Sequence, residues 1–262
     1  MRRYRYSYGP SSYSFGPGGI SPAIKALIWI NIGVFVLTNL TGREPGQLPW
    51  LFTYFGLTPE AVFERFWIWQ PFTYMFLHGG LGHILFNMLA LWMFGVQLER
   101  RWGTRFFLRY YFLTGVGAGV STLIASLPFM FGSSLYGVPT IGASGAIYGV
   151  LLAFALYYPK VPILLFFLFP VPARYFVMII GGIAFYNSMV TTGSGIAHTA
   201  HLGGMLFGYL YLTRGRVGLD WGRVGLKSEL KYRYLKWRMN RLRRKFEVHS
   251  GGRRSDRDRR IH

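Results

Sequence analysis

Six apolar runs, separated by charged or Pro/Gly-rich breaks, leave this chain few folds to choose from. They cover about residues 23–40, 81–98, 106–127, 145–158, 174–190 and 196–213. Most approach the roughly 20 residues that a helix needs to cross a hydrocarbon core about 30 Å thick. Hydrophobic residues make up 52% of the 262-residue chain and charged residues only 15%, more apolar surface than a soluble domain of this length can hide. The pattern predicts an all-α membrane protein, a bundle of six transmembrane helices.

Charge between the runs orients the bundle. The turn Glu99-Arg100-Arg101-Trp102-Gly103-Thr104-Arg105 is basic, as is Lys160, and both belong inside. The segment 41–70 balances Arg43 and Arg65 against Glu44, Glu60 and Glu64, and carries Trp50, Trp67 and Trp69; it is expected outside, dipping into the interface. The uncharged loop 128–141 also falls outside. Six spans then put both termini in the cytoplasm, with the chain in a plasma or inner cell membrane. Residues 1–21 read as a disordered cytoplasmic tail and 22–213 as the helical domain, its first helix capped by Ser21 with Pro22 in the first turn. Residues 214–262 form a basic tail in which Leu226, Leu230, Tyr234 and Trp237 recur at helical spacing, as expected of an interfacial helix on anionic lipid. Pro162, Pro170 and Pro172 interrupt 161–171, which is expected to lie along the inner interface.

The net charge of +20 would suit nucleic acid, but it lies outside the apolar runs, where topology and lipid account for it; no nucleic-acid partner is expected. Absence of cysteine excludes disulfides and thiolate catalysis, and neither a metal centre nor a cofactor is expected.

The fourth run begins Gly142-Ala143-Ser144-Gly145 and stops at Tyr158-Pro159-Lys160. As a helix from Gly145 it rises only about 21 Å, so with Lys160 at one membrane face Ser144 is submerged roughly 9 Å beneath the other. Unpaired amides and the positive end of the helix dipole surround it there. Polar residues inside spans are costly, and here they share one layer. His83 and Asn87, at i and i+4, lie near the outer end of the second helix; His198 and His201 lie in the first two turns of the sixth. Gly145, Gly149 and Ala153 repeat every four residues, as do Ala200, Gly204 and Gly208, and such ridges let backbones approach closely. His201 adjoins its ridge and can reach Ser144, the pairing of a nucleophile and a base. His198, about 60° round the helix and one turn nearer water, is expected to bond the outer loop 191–195. Tyr148, one turn below Ser144, offers a ring for the imidazole or simply packs. Asn87 alone could be an interhelical hydrogen bond and His83 an interface histidine; Thr199 and Asn187 read as structural, and Glu99 with Arg101 as an ion pair or cap. The acidic residues before the tail are Glu44, Glu60, Glu64 and Glu99, none beside Ser144, so a dyad is expected in place of a triad.

His83-Ile84-Leu85-Phe86-Asn87-Met88, Gly142-Ala143-Ser144-Gly145, Ala197-His198-Thr199-Ala200-His201-Leu202-Gly203-Gly204, and Glu99-Arg100-Arg101 with Gly103 together resemble the rhomboid family of intramembrane serine proteases. The resemblance covers roughly residues 22–213. It implies a six-helix rhomboid-like fold, Ser144 as nucleophile and His201 as base. It also implies an oxyanion site from Asn87, His83 and the Ser144 amide, with Gly142 and Tyr148 in support. Single-span membrane proteins are the implied substrates, cut near the outer end of their helix. A catalytically inactive relative that binds or escorts membrane proteins is the alternative, although such relatives usually lack the serine or the histidine. A transporter would carry its polar residues near the midplane of a repeated architecture. Trp69-Gln70 stands where many members have Trp-Arg, and His78 matches a family histidine expected to brace the first loop.

Overall fold

The computed structural model describes residues 17–41, 48–129, 134–165, 169–190, 195–214 and Arg238. The N-terminal tail to residue 16, the loop 191–194 and, Arg238 excepted, the basic tail with its expected interfacial helix lie outside the described residues.

Helix α1 is Pro22–Leu40, and a carboxylate from elsewhere in the chain holds its start. Ser21 occupies the N-cap position but makes no capping bond to its own helix. Its hydroxyl donates to Glu99, whose carboxylate also accepts the amides of Ala23 (2.9 Å) and Ile24 (3.2 Å). Glu99 therefore does what was expected of Ser21, placing negative charge at the positive end of the α1 dipole. It accepts the Thr104 hydroxyl as well, at 2.7 Å. Of the cap or ion pair considered for Glu99 and Arg101, the cap is found; the Arg101 guanidinium lies 4.8 Å from the Tyr157 ring centre instead. Among the described residues the ion pair is Arg65 with Glu60, at 2.8 Å.

Three short helices follow: α2, Trp50–Phe55, α3, Pro59–Glu64, and α4, Gln70–Thr73. Gln70 is fully buried and joins them. Its Oε1 accepts the Thr58 amide at 2.9 Å, and its Nε2 donates to the carbonyls of Thr53 and Tyr54, each at 3.3 Å. Tyr54, Trp67 and Trp69 stack beside it.

Helix α5, Leu81–Trp102, includes a π turn at Leu91–Gly95. It stops at Gly103, whose φ of +80° suits a residue without a side chain and whose amide returns to the Glu99 carbonyl at 2.7 Å. Helix α6, Thr104–Ser126, starts at once. Helix α7 is Ser144–Tyr157, 14 residues and hence about 21 Å long. The stretch expected to lie along the interface is an antiparallel hairpin, β1 Pro162–Leu165 with β2 Phe169–Pro172, in which Pro162 faces Pro172. Two strands leave every residue one unpaired side, so prolines are tolerated. Helix α8, Ala173–Val190, and helix α9, Gly195–Arg214, follow.

Helices α6, α7 and α9 pack together through small residues. A Cβ on Gly204 would collide with the carbonyl oxygen of Gly145, so α7 and α9 cross in backbone contact. The two ridges do not face each other along their whole length: Gly149 abuts Thr114 and Gly208 abuts Tyr110, both on α6. The Tyr110 hydroxyl closes this junction by donating to the Gly149 carbonyl at 2.7 Å. By length and composition α1 and α5 are apolar enough to cross a membrane.

Candidate active site

Ser144 is the first residue of α7, where the leading amides have no partner one turn back. The crossing at Gly145 and Gly204 brings α9 against that end, and His201 Nε2 stands 2.8 Å from Ser144 Oγ. The imidazole is held by packing: the Tyr148 ring lies parallel to it, 4.1 Å between centres with 2° between planes. Its other nitrogen, Nδ1, is buried without a protein partner. His198 stands edge-on to His201, 5.8 Å between centres; its expected loop partners lie outside the described residues.

Two loops bring the remaining polar groups to the same place. Leu57 and Thr140 exchange backbone hydrogen bonds of 2.9 and 2.8 Å, tying the first loop to the segment before Ser144. The Gly142 amide then donates to the Tyr74 carbonyl at 2.9 Å, and the Tyr74 hydroxyl reaches the Gly115 carbonyl on α6 at 2.8 Å. Gly142 has φ +119°, and a Cβ there would stand 2.7 Å from His83 Nε2 and 3.8 Å from Ser144 Oγ. A side chain would therefore occupy the space between imidazole and hydroxyl.

His83 has a defined donor. The Gly79 amide points at His83 Nδ1, 3.4 Å away, so the neutral ring carries its proton on Nε2, the nitrogen that looks toward Gly142. Asn87 is buried one turn further along α5, and its Nδ2 donates to the His83 carbonyl at 2.8 Å, leaving one amide hydrogen uncommitted. His78 is 1% exposed and packs edge-on against His83, 5.0 Å between centres.

The structure thus brings Ser144, His201, Tyr148, Gly142 and His83 to one end of the bundle, with Asn87 one turn along α5 from His83. The contributions of Gly79 and Tyr74 are absent from the sequence reading. Each meets the site through a backbone group, which no residue type announces, and Tyr74 adds its hydroxyl on α6.

The Rhomboid domain family matches residues 65–216. Rhomboid protein 1, mitochondrial, of Saccharomyces cerevisiae is 33% identical over 195 residues, 72% of this chain and 51% of that protein. Rhomboid protease GluP of Bacillus subtilis is 31% identical over 59% of this chain and 27% of its own length. Rhomboid protease GlpG of Klebsiella pneumoniae is 32% identical over 50% of this chain and 41% of its own. The matched stretch thus spans about half or less of these relatives.

Proposed function

Because the chain belongs to the rhomboid family, we propose that it is an intramembrane serine endopeptidase that cuts single-span membrane proteins near the outer end of their helix. The observation that carries this reading is the 2.8 Å approach of His201 Nε2 to the hydroxyl of Ser144 at the start of α7. Two of the relatives are named rhomboid proteases.

In the proposed reaction, His201 takes the Ser144 proton on Nε2 as Oγ attacks the scissile carbonyl, and later returns it to the leaving amine. Tyr148 keeps the ring in plane, the part a carboxylate plays in a triad. Charge on the carbonyl oxygen would be met by the Ser144 amide, His83 Nε2–H and the free hydrogen of Asn87, with Gly142 keeping the space open. No metal or cofactor enters this scheme.

The proposed setting is a plasma or inner cell membrane crossed six times, both termini in the cytoplasm, with residues 22–213 as the protease domain and the basic tail on anionic lipid. Trp29, Leu40, Leu85, Phe86, Met178 and Met189 are all exposed, a surface suited to acyl chains and unsuited to water. Both dyad residues are present, which favours the enzyme over an inactive binder.

A fluorophosphonate probe tests the reading. Detergent-solubilised protein should label covalently and cleave a model transmembrane substrate, and Ser144→Ala should lose both at unchanged expression. Cleavage by the purified variant would overturn the assignment.

A further inference from the structure

Helix α6 carries two arginines on the side turned away from the core. Arg105 and Arg109 are exposed, one helical turn apart, and among the described residues no carboxylate pairs with either. Glu99, the acid nearest in sequence, accepts instead from Ser21, Ala23, Ile24 and Thr104. Like charges at i and i+4 repel, so the pair favours an anion that bridges them. Arg214 comes to the same end from α9. Tyr211, one turn before it, lies against Phe106 of α6 with 5.6 Å between ring centres, and Phe207, Tyr211 and Arg214 share one helix face at i, i+4 and i+7.

The same face of α6 continues into a shallow groove of about 420 Å³, lined by Phe112, Leu113, Val116, Gly117, Val120 and, from α9, Phe207. All six are apolar. At 100° per residue the two arginines fall within about 100° of Phe112, Leu113, Val116 and Val120, so charge and groove form one track along the helix. Gly117 lets the two helices close at its base, since a Cβ there would collide with the Phe207 ring. Arg109 and Val120 lie about 16 Å apart along the axis, and one leaflet of a hydrocarbon core about 30 Å thick is roughly 15 Å deep.

We propose that this track binds one anionic phospholipid of the leaflet at that end of α6, with its phosphate among Arg105, Arg109 and Arg214 and one acyl chain lying along the groove to Val120. Guanidinium forks match the oxygens of a phosphate. Long arginine stems reach the interface with the charge while their carbons stay in hydrocarbon. The groove runs as far as a leaflet is deep, which suits a chain anchored at the arginines. A second copy of the chain meeting this face about a two-fold axis along the membrane normal would set arginine against arginine, with no acid to separate them. The site belongs to the helical domain and does not need the basic tail beyond Arg214.

The inference rests on the proposed membrane crossing and is independent of the Ser144–His201 pair. Native mass spectrometry of the full chain in detergent, titrated with phosphatidylglycerol or with phosphatidylcholine of the same chains, tests it. Wild type should retain one phosphatidylglycerol under conditions that strip phosphatidylcholine. Arg105→Gln combined with Arg109→Gln should weaken that retention about 30-fold, roughly fivefold for each charge removed near a membrane surface. Arg174→Gln removes an exposed charge from α8, which packs on α7 and α9, and should change nothing. Dihexanoyl phosphatidylglycerol, with the same head and short chains, should bind wild type about 10-fold or more weakly, because each buried CH₂ adds to retention. Equal retention of the two headgroups, or an equal loss from Arg174→Gln, would reveal diffuse attraction and overturn the site. Equal retention of short and long chains would overturn the role of the groove, and a wild-type dimer without phospholipid would give this face to a second copy. Should the double variant melt early, the headgroup and chain-length comparisons on wild type still decide. A wild-type chain that leaves the membrane fraction in alkaline buffer without detergent would sink the membrane setting instead.

Discussion

The Tyr148 ring covers the His201 imidazole face to face, its plane within 2° of the imidazole plane and its centre 4.1 Å away. With Nδ1 lacking a protein partner, this stack is a principal contact orienting the imidazole. Tyr148→Phe keeps the ring and should keep turnover within about threefold, whereas Tyr148→Ala frees the imidazole and should lower turnover about 10- to 100-fold. Steady-state cleavage of a model transmembrane substrate distinguishes them. An inactive Phe variant would transfer the role from the ring to the hydroxyl.

The two histidines of α9 should separate cleanly. His201→Ala removes the nitrogen 2.8 Å from Ser144 and should abolish both cleavage and fluorophosphonate labelling. His198→Ala removes an edge-on neighbour 5.8 Å from His201 and should leave labelling intact while lowering cleavage only partly. Labelling of the His201 variant at the wild-type rate would show that Ser144 is activated by another group.

Gly204 tests the backbone crossing. Any Cβ there meets the Gly145 carbonyl, so Gly204→Val should push α9 away from α7, destabilise the fold by about 1–3 kcal/mol or more, and separate Ser144 from His201. The expected outcome is a lower melting temperature together with lost labelling. A variant that melts earlier yet labels normally would mean that the dyad does not depend on this crossing.

Glu99 should matter to stability and not to chemistry. Its carboxylate accepts from Ser21, Ala23, Ile24 and Thr104, and Glu99→Ala would strand the two amides that open α1. A loss of about 2–4 kcal/mol is expected from orphaning such groups, visible in thermal unfolding. Turnover per titrated site should stay near wild type, since Glu99 lies at the opposite end of α5 from His83. A fall in turnover per site with an unchanged melting temperature would contradict this.

Much of this arrangement can be read from spacing, because helical repeats translate directly into faces. The four-residue repeats through Gly145 and Gly204 identify surfaces that approach closely, and the position of His201 beside one of them brings it to Ser144. Those repeats do not say which neighbour each glycine meets, and for Gly149 and Gly208 it is α6. The hairpin at Pro162–Pro172 is masked by its prolines, which read as breakers although a two-stranded ribbon accommodates them. The cap on α1 is legible only in part: a cap is one of the roles that Glu99 suggests, but the helix it caps is not, since Ser21 has the right type and position and the stronger acceptor arrives from far along the chain. The tautomer of His83 depends on the Gly79 amide, a group carried by every residue except proline.

Gln70 closes the first loop with a neutral amide at the place where a family resemblance suggests an arginine. Its partners are the Thr58 amide and the carbonyls of Thr53 and Tyr54, none of which ionises. Dissolved ions weaken attraction between charges but act little on a buried amide network. The cohesion of this loop should therefore be indifferent to ionic strength, so that a change from dilute buffer to brine leaves its three short helices as firmly joined as before.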